Sequence, residues 1–229
     1  MNNDTVNTEF DEYFLNLDFY QRMPQMLPWV GSSYGNKYKR VLFVGESHYL
    51  PYESLIHKDL LQWYNLEKRE LDENEVLFTN TRDVITKHHS ENGIWKNPAD
   101  IMRRNNILPP EGSTNIYEHF AFYNFFLRPA KNAGEIEIVS KDIEISNSIF
   151  RDVIKILKPS IIIFLSSKAW NYCQKDDIHE IDFDFTPHPS SQWWNRKAMK
   201  YVYKSNECLT GSQKFDKLVK DKLLDISIN

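Results

Sequence analysis

Residues 159–165 read Pro-Ser-Ile-Ile-Ile-Phe-Leu, and this stretch decides the fold. A run that is short, β-branched and unbroken by polar residues suits a strand covered on both faces, as in a parallel sheet. Just upstream, Ile149, Val153, Ile156 and Leu157 recur at helical spacing, and Pro159 ends that helix before the strand begins. Arg40–Val44 (RVLFV) and Phe120–Phe126 (FAFYNFF) have the same buried-strand character. Ile181–Thr186 (IDFDFT) alternates instead, which predicts a strand with one wetter face. Phe215, Leu218, Val219 and Leu223 form a second helical stripe, while Glu53–Tyr64 and Asp83–His89 are weaker helix candidates. Strands alternating with helices predict an α/β fold. The expected architecture is a three-layer α/β/α sandwich with a central, mostly parallel four-stranded sheet.

The chain has 229 residues, with hydrophobic residues at 41% and aromatics at 14%, too apolar for disorder and ample for a core. No repeat or Gly/Ser/Pro-rich linker divides it, so residues 1–229 are read as one domain. The polar stretch Glu67–Glu75 (EKRELDENE) reads as a solvated turn. Two distant cysteines, Cys173 and Cys208, exclude a disulfide scaffold, a CxxC zinc site and a four-cysteine iron–sulfur cluster. They point to a reducing compartment. No run of about 18 apolar residues exists, and the acidic N-terminus (Asp4, Glu9, Asp11, Glu12) lacks the features of a signal peptide. The expectation is a cytoplasmic monomer that spans no membrane. The net charge of −4 supplies no global positive field, although a local basic face is compatible with it.

In α/β sheets, ligands bind beyond the carboxyl ends of the strands. Here those ends carry Gly45-Glu46-Ser47-His48-Tyr49, Arg128-Pro129, Ser166-Ser167 and Pro187-His188-Pro189-Ser190. Taken alone, Glu46 fits a strand-end cap or ion pair, and His188 fits a loop residue satisfying backbone groups. Asn124 lies inside an aromatic run, where a buried amide costs roughly 1–3 kcal/mol unless its donors and acceptors are met. A core asparagine bonded to a loop backbone and a ligand-reading amide account for it equally well.

The ordered blocks GESHY (45–49), YNFFLRP (123–129), KPSIIIFLSSKAW (158–170) and TPHPSSQWW (186–194) resemble the uracil-DNA glycosylase superfamily. The nearest pattern is that of its iron–sulfur-containing members, whose first motif reads GEAPG and whose last contains HPS. The resemblance implies a protein that hydrolyses the N-glycosidic bond of a flipped uracil or other deaminated base in DNA, without metal or organic cofactor. Glu46 would orient water and His188 would donate a hydrogen bond to the departing base. Asn124, with one donor and one acceptor, would read the O4/N3 edge. Gly45, Ser47, His48, Tyr49 and Ser166 would complete the substrate site, with Phe78 or Trp63 stacking on the flipped base. The loop holding Ser191, Gln192, Trp193 and Trp194 would fill the vacated space, and Ser190, Ser191, Trp193, Trp194, Arg196 and Lys197 would contact the DNA. The chain departs from the family at Ser47, where many members carry Asp or Asn, and at His48, where Pro is usual. The cluster-binding cysteines are also absent.

Independently of any resemblance, the segment from Ser191 to Lys204 holds Arg196, Lys197, Lys200 and Lys204 and no acidic residue. Trp193, Trp194, Tyr201 and Tyr203 are interleaved with them. Cations suit phosphates and aromatic faces suit unstacked bases, so the strip fits a nucleic-acid surface, though a solvated face has the same composition. Rival readings are a nucleic-acid-binding module that lost the chemistry and a small-molecule hydrolase. Ser47-His48 does not make a dyad for the latter, because neighbours on an extended chain point apart and no GxSxG elbow exists. His88, His89 and Glu91 lack the spacing of a metal site.

Overall fold

The computed structural model describes residues 5–56, 59–131, 136–176 and 178–224. Short helices α1 (Asp11–Leu15) and α2 (Asp18–Arg22) precede strands β1 (Trp29–Val30) and β2 (Val41–Leu50). Helices α3 (Leu60–Asn65), α4 (Glu73–Thr79), α5 (Thr81–His88) and α6 (Gly93–Arg104) lead to β3 (Ala121–Lys131). Then follow α7 (Ser140–Leu157), β4 (Ile161–Phe164), α8 (Ser167–Tyr172), β5 (Asp182–Phe185) and α9 (Gly211–Leu218). The fold is α/β.

Among the described residues the sheet has five strands, in the order β1-β3-β2-β4-β5. The four expected strands form its parallel part, with β2 pairing both β3 and β4, and β4 pairing β5. The fifth, β1, adds antiparallel to β3 through Trp29–Phe122 and Val30–Ala121. Two residues are too few to show a period, so the sequence gives no sign of this edge strand.

Alternation along the strands divides the core in two. Leu42, Val44, Tyr123, Phe125, Ile162 and Phe164 pack on one face with Phe150, Val153 and Leu157 of α7. Val41, Phe43, Phe120, Phe122, Ile161 and Ile163 pack on the other with Trp95 and Met102 of α6 and Phe215 and Leu218 of α9. Burying one such side chain stabilises by about 1.5–3 kcal/mol, so both faces need their helices. Helix α7 ends at Lys158, whose left-handed backbone (φ 48°) and the following Pro159 turn the chain into β4.

The polar stretch 67–75 is more structured than a solvated turn. Asp72 caps α4 by accepting from Glu75 N at 2.8 Å, and the Glu75 carboxylate accepts from Asp72 N at 3.1 Å. Of the Glu53–Tyr64 candidate, residues 57 and 58 lie outside the described residues, and the helix there is Leu60–Asn65. Among the described residues, no helix is long and apolar enough to cross a membrane.

Candidate functional site

Because β2, β3, β4 and β5 run parallel, their carboxyl ends share one edge of the sheet. A pocket of about 390 Å³ opens there, walled by Ser47, Tyr49, Phe78, Trp95, Phe122 and Asn124 among others. Ser47, His48 and Tyr49 all reach it, which regular strand alternation forbids. The reason is an irregularity. Ser47 pairs with Phe126 but Tyr49 pairs with Ala130, so a step of two residues on β2 faces a step of four on β3. Such interruptions re-aim side chains beside sites.

Asn124 pairs in register with Gly45, and its side chain lies over that glycine. A Cβ at Gly45 would fall 2.3 Å from Asn124 Oδ1 and 2.6 Å from Phe122 Cζ, so only glycine leaves the amide its place. Asn124 is 9% exposed and borders the pocket, and its amide makes no hydrogen bond with the described residues. A buried amide in that state is a donor and an acceptor offered to whatever fills the pocket.

The walls are fixed. Trp95 stands edge-on to Phe122 (4.4 Å, 71°) and to Tyr117 (5.4 Å, 80°), and the Tyr117 hydroxyl donates to the Trp95 carbonyl. Of the two aromatics expected to compete for the stacking place, Trp63 is fully buried and donates its indole N–H to Leu127 O at 3.2 Å. Phe78 is 46% exposed and lines the pocket. His48 Nε2 meets Thr81 Oγ1 at 3.0 Å rather than Ser47. Burial pushes its pKa down to about 4 against the pull of a Phe78 backbone hydrogen bond, so the ring is neutral.

Glu46 and His188 stand apart from this wall. Glu46 accepts from Ser166 Oγ at 2.6 Å, and Lys168 Nζ lies 3.6 Å from its other oxygen. Ser166, expected to touch substrate, is instead buried and committed to Glu46 and to capping α8 through Lys168 N and Ala169 N. His188 Nδ1 accepts from Ser190 N at 3.2 Å. A backbone N–H can only donate, so the neutral ring carries its proton on Nε2. Burial lowers the His188 pKa, and the Glu46 charge opposes this. The His188 loop docks on the start of α6, where Asn97 Nδ2 donates to Pro189 O at 2.8 Å and Gly93 lies against Ser190. Asn92 and Ile94, on either side of Gly93, belong to the pocket wall. The loop therefore borders the pocket without lining it.

The expected nucleic-acid strip is only partly available. Trp194 is 3% exposed and packs on Phe215 at 5.8 Å, which removes it from any binding surface. Tyr201 and Tyr203 are buried as well. Trp194 and Tyr203 join the core under α9 while Tyr201 packs on Phe185 at 6.3 Å, a demand that composition alone does not reveal. Trp193, Ser190, Arg196 and Lys197 are exposed, with Arg196 donating to Gln192 Oε1 at 2.6 Å. Ser191 is half-buried, and its hydroxyl has no partner among the described residues. Lys204 is held by Asp221 at 2.8 Å.

His88 lies 3.4 Å from Glu91, and no group of three or more potential metal ligands occurs among the described residues. Sequence reading missed Thr81, Trp95 and Phe122 as parts of the site. The only cue for Phe122 was its place two residues before Asn124, on the same strand face. No protein-family model matches the chain, and no curated protein sequence matches it either. The functional reading therefore rests on the site's geometry and on the motif order.

Proposed function

We propose that this chain is a uracil-DNA glycosylase-like protein, a three-layer α/β/α sandwich that hydrolyses the N-glycosidic bond of a flipped, deaminated base in DNA. The observation that carries the reading is the Asn124 amide, without a hydrogen bond to any described residue, in an aromatic-walled pocket at the carboxyl edge of the sheet. Uracil and other deaminated bases present a carbonyl beside a ring N–H, and the two halves of a carboxamide match that pair. Cytosine and adenine reverse the polarity, so an amide held in the uracil-reading orientation is left unsatisfied by them, at a cost of about 1–3 kcal/mol. Phe78 offers a face for the flipped ring.

His188, with its proton on Nε2, is a donor for charge developing on the departing base. The Glu46 carboxylate, with Ser166 and Lys168 beside it, is the group to orient water and stabilise a cationic sugar. The reaction requires no metal or organic cofactor. Arg196 and Lys197, beside Trp193, are the phosphate contacts of this reading. The working form is a cytoplasmic monomer.

A second reading is favoured by one observation: Glu46 is engaged by Ser166 and Lys168 and is not on the pocket wall. In that case the chain binds a flipped base without releasing it. Oligonucleotides carrying uracil, hypoxanthine or xanthine, treated with alkali after incubation, separate the two. Breaks at the lesion that disappear in Glu46→Gln establish hydrolysis. Salt-sensitive binding without breaks selects the module, and absence of both signals removes DNA as the partner.

A further inference from the structure

The corner between α4 and α5 carries the exposed ring of Phe78, and it is fastened from beneath at successive residues. Thr79 Oγ1 donates to Glu75 O at 2.8 Å and is approached by Gln25 Nε2 at 3.4 Å. The Asn80 side chain caps α5 by accepting from Asp83 N at 3.1 Å. Thr81 Oγ1 meets His48 Nε2 at 3.0 Å and lies 3.5 Å from Met26 O. Thr79, Thr81 and His48 are buried. Phe78 and the neighbouring Leu77 remain exposed on this fixed base.

His48 is the one member of this set that comes from the sheet. It sits on β2 between Ser47 and Tyr49, at the register interruption that turns it toward the corner. A neutral imidazole has one donor and one acceptor, so it can meet the Thr81 hydroxyl in either sense. Proline, the residue the resemblance leads one to expect here, offers neither.

We propose that His48 is a positioning residue: it ties β2, which carries Gly45, Ser47 and Tyr49, to the corner that presents Phe78. The Phe78 face is thereby held at a fixed height above the Asn124 amide. The ligand this geometry takes is a planar, uncharged heterocycle that stacks on Phe78 while its polar edge meets Asn124. The inference deepens the base-binding reading above and rests on it for the ligand, though not for the tether.

Two measurements separate the tether from the ligand. In the DNA-free protein, amide hydrogen exchange over residues 78–83 is expected to quicken about tenfold or more in His48→Ala and to stay near wild type in His48→Gln, whose amide restores a donor and an acceptor. Unchanged exchange in His48→Ala overturns the proposal, whatever the protein binds. The second measurement is a double-mutant cycle for a single-stranded oligonucleotide carrying one uracil. His48→Ala is expected to weaken binding about tenfold, within the range for losing one base–aromatic stack. It is expected to do nothing further in a Phe78→Ala background, because it acts through that ring. Independent, multiplying losses in the cycle overturn the positioning role. If the wild type shows no preference for the uracil strand, the base reading fails while the exchange result still decides the tether.

Discussion

Placing a methyl group on Gly45 tests the geometry on which the site depends. The added Cβ lands 2.3 Å from Asn124 Oδ1 and 2.6 Å from Phe122 Cζ, both far inside normal contact. Phe122 is buried and wedged edge-on against Trp95 at 4.4 Å, so its ring has little room to move. The Asn124 amide has no hydrogen bond with the described residues to hold it and moves instead. Overpacking of this kind costs about 1–3 kcal/mol. For a chain of this size each kcal/mol lowers the melting temperature by about 2–4 °C, so Gly45→Ala is expected to lose about 2–12 °C. The displaced amide also forfeits a donor and an acceptor to the ligand. At about 0.5–1.5 kcal/mol each, that lowers affinity for a uracil-containing strand roughly 5- to 150-fold. Calorimetry and fluorescence anisotropy measure the two effects. An unchanged melting temperature refutes the tight Gly45–Asn124 contact, and lost stability with full affinity refutes Asn124 as the reader.

Three further outcomes follow from the same structure. Asp142 is fully buried and takes Arg128 through two bonds (3.0 and 2.7 Å) and the Tyr64 hydroxyl at 2.7 Å; Asp142→Asn strands the guanidinium and is expected to cost about 3–5 kcal/mol in urea unfolding, with a loss under about 1 kcal/mol contradicting the network. The folded-state pKa of His48 lies near 4, below its ordinary 6.5. Its stabilisation is therefore complete above pH 6.5 and is lost as pH falls toward 4, by about 3 kcal/mol. His48→Gln flattens that decline, and an equal decline in both proteins excludes His48 as its source. Because the Glu46 charge raises the His188 pKa against burial, Glu46→Gln is expected to lower it further in an NMR titration, and a rise shows that the two groups do not interact.

Much of the fold was legible in the sequence because buried parallel strands leave an unmistakable mark. The stretches RVLFV, FAFYNFF, SIIIFL and IDFDFT all coincide with strands of the sheet. Edge strand β1 escaped notice because Trp29–Val30 is shorter than one period. Helix α6 escaped because Pro98 sits within it, although Trp95, Pro98, Ala99 and Met102 recur at helical spacing. In the site, Asn124 drew notice as a polar residue among aromatics, whereas Phe78 came only from the resemblance, beside Trp63; Phe78 lies on the pocket wall and Trp63 is buried. What remained hidden was orientation. Strand alternation predicts that Ser47 and His48 face opposite ways, and only the interrupted pairing with β3 brings both to the pocket. Composition likewise did not separate Trp193, which is exposed, from Trp194, which the core under α9 claims. Adjacent residues on a turn differ in direction, and direction is set by tertiary packing.

The central claim is that Asn124 reads a flipped base, and it can be tested whether or not the bond is cut. Wild-type protein carrying isotope-labelled asparagine and phenylalanine is titrated with a single strand holding one glycosidase-resistant uracil nucleotide, and then with the same strand holding cytosine. The account predicts that the Asn124 side-chain amide and the Phe78 ring shift strongly with uracil and far less with cytosine. Shifts absent from both residues, or equal for the two bases, would contradict it.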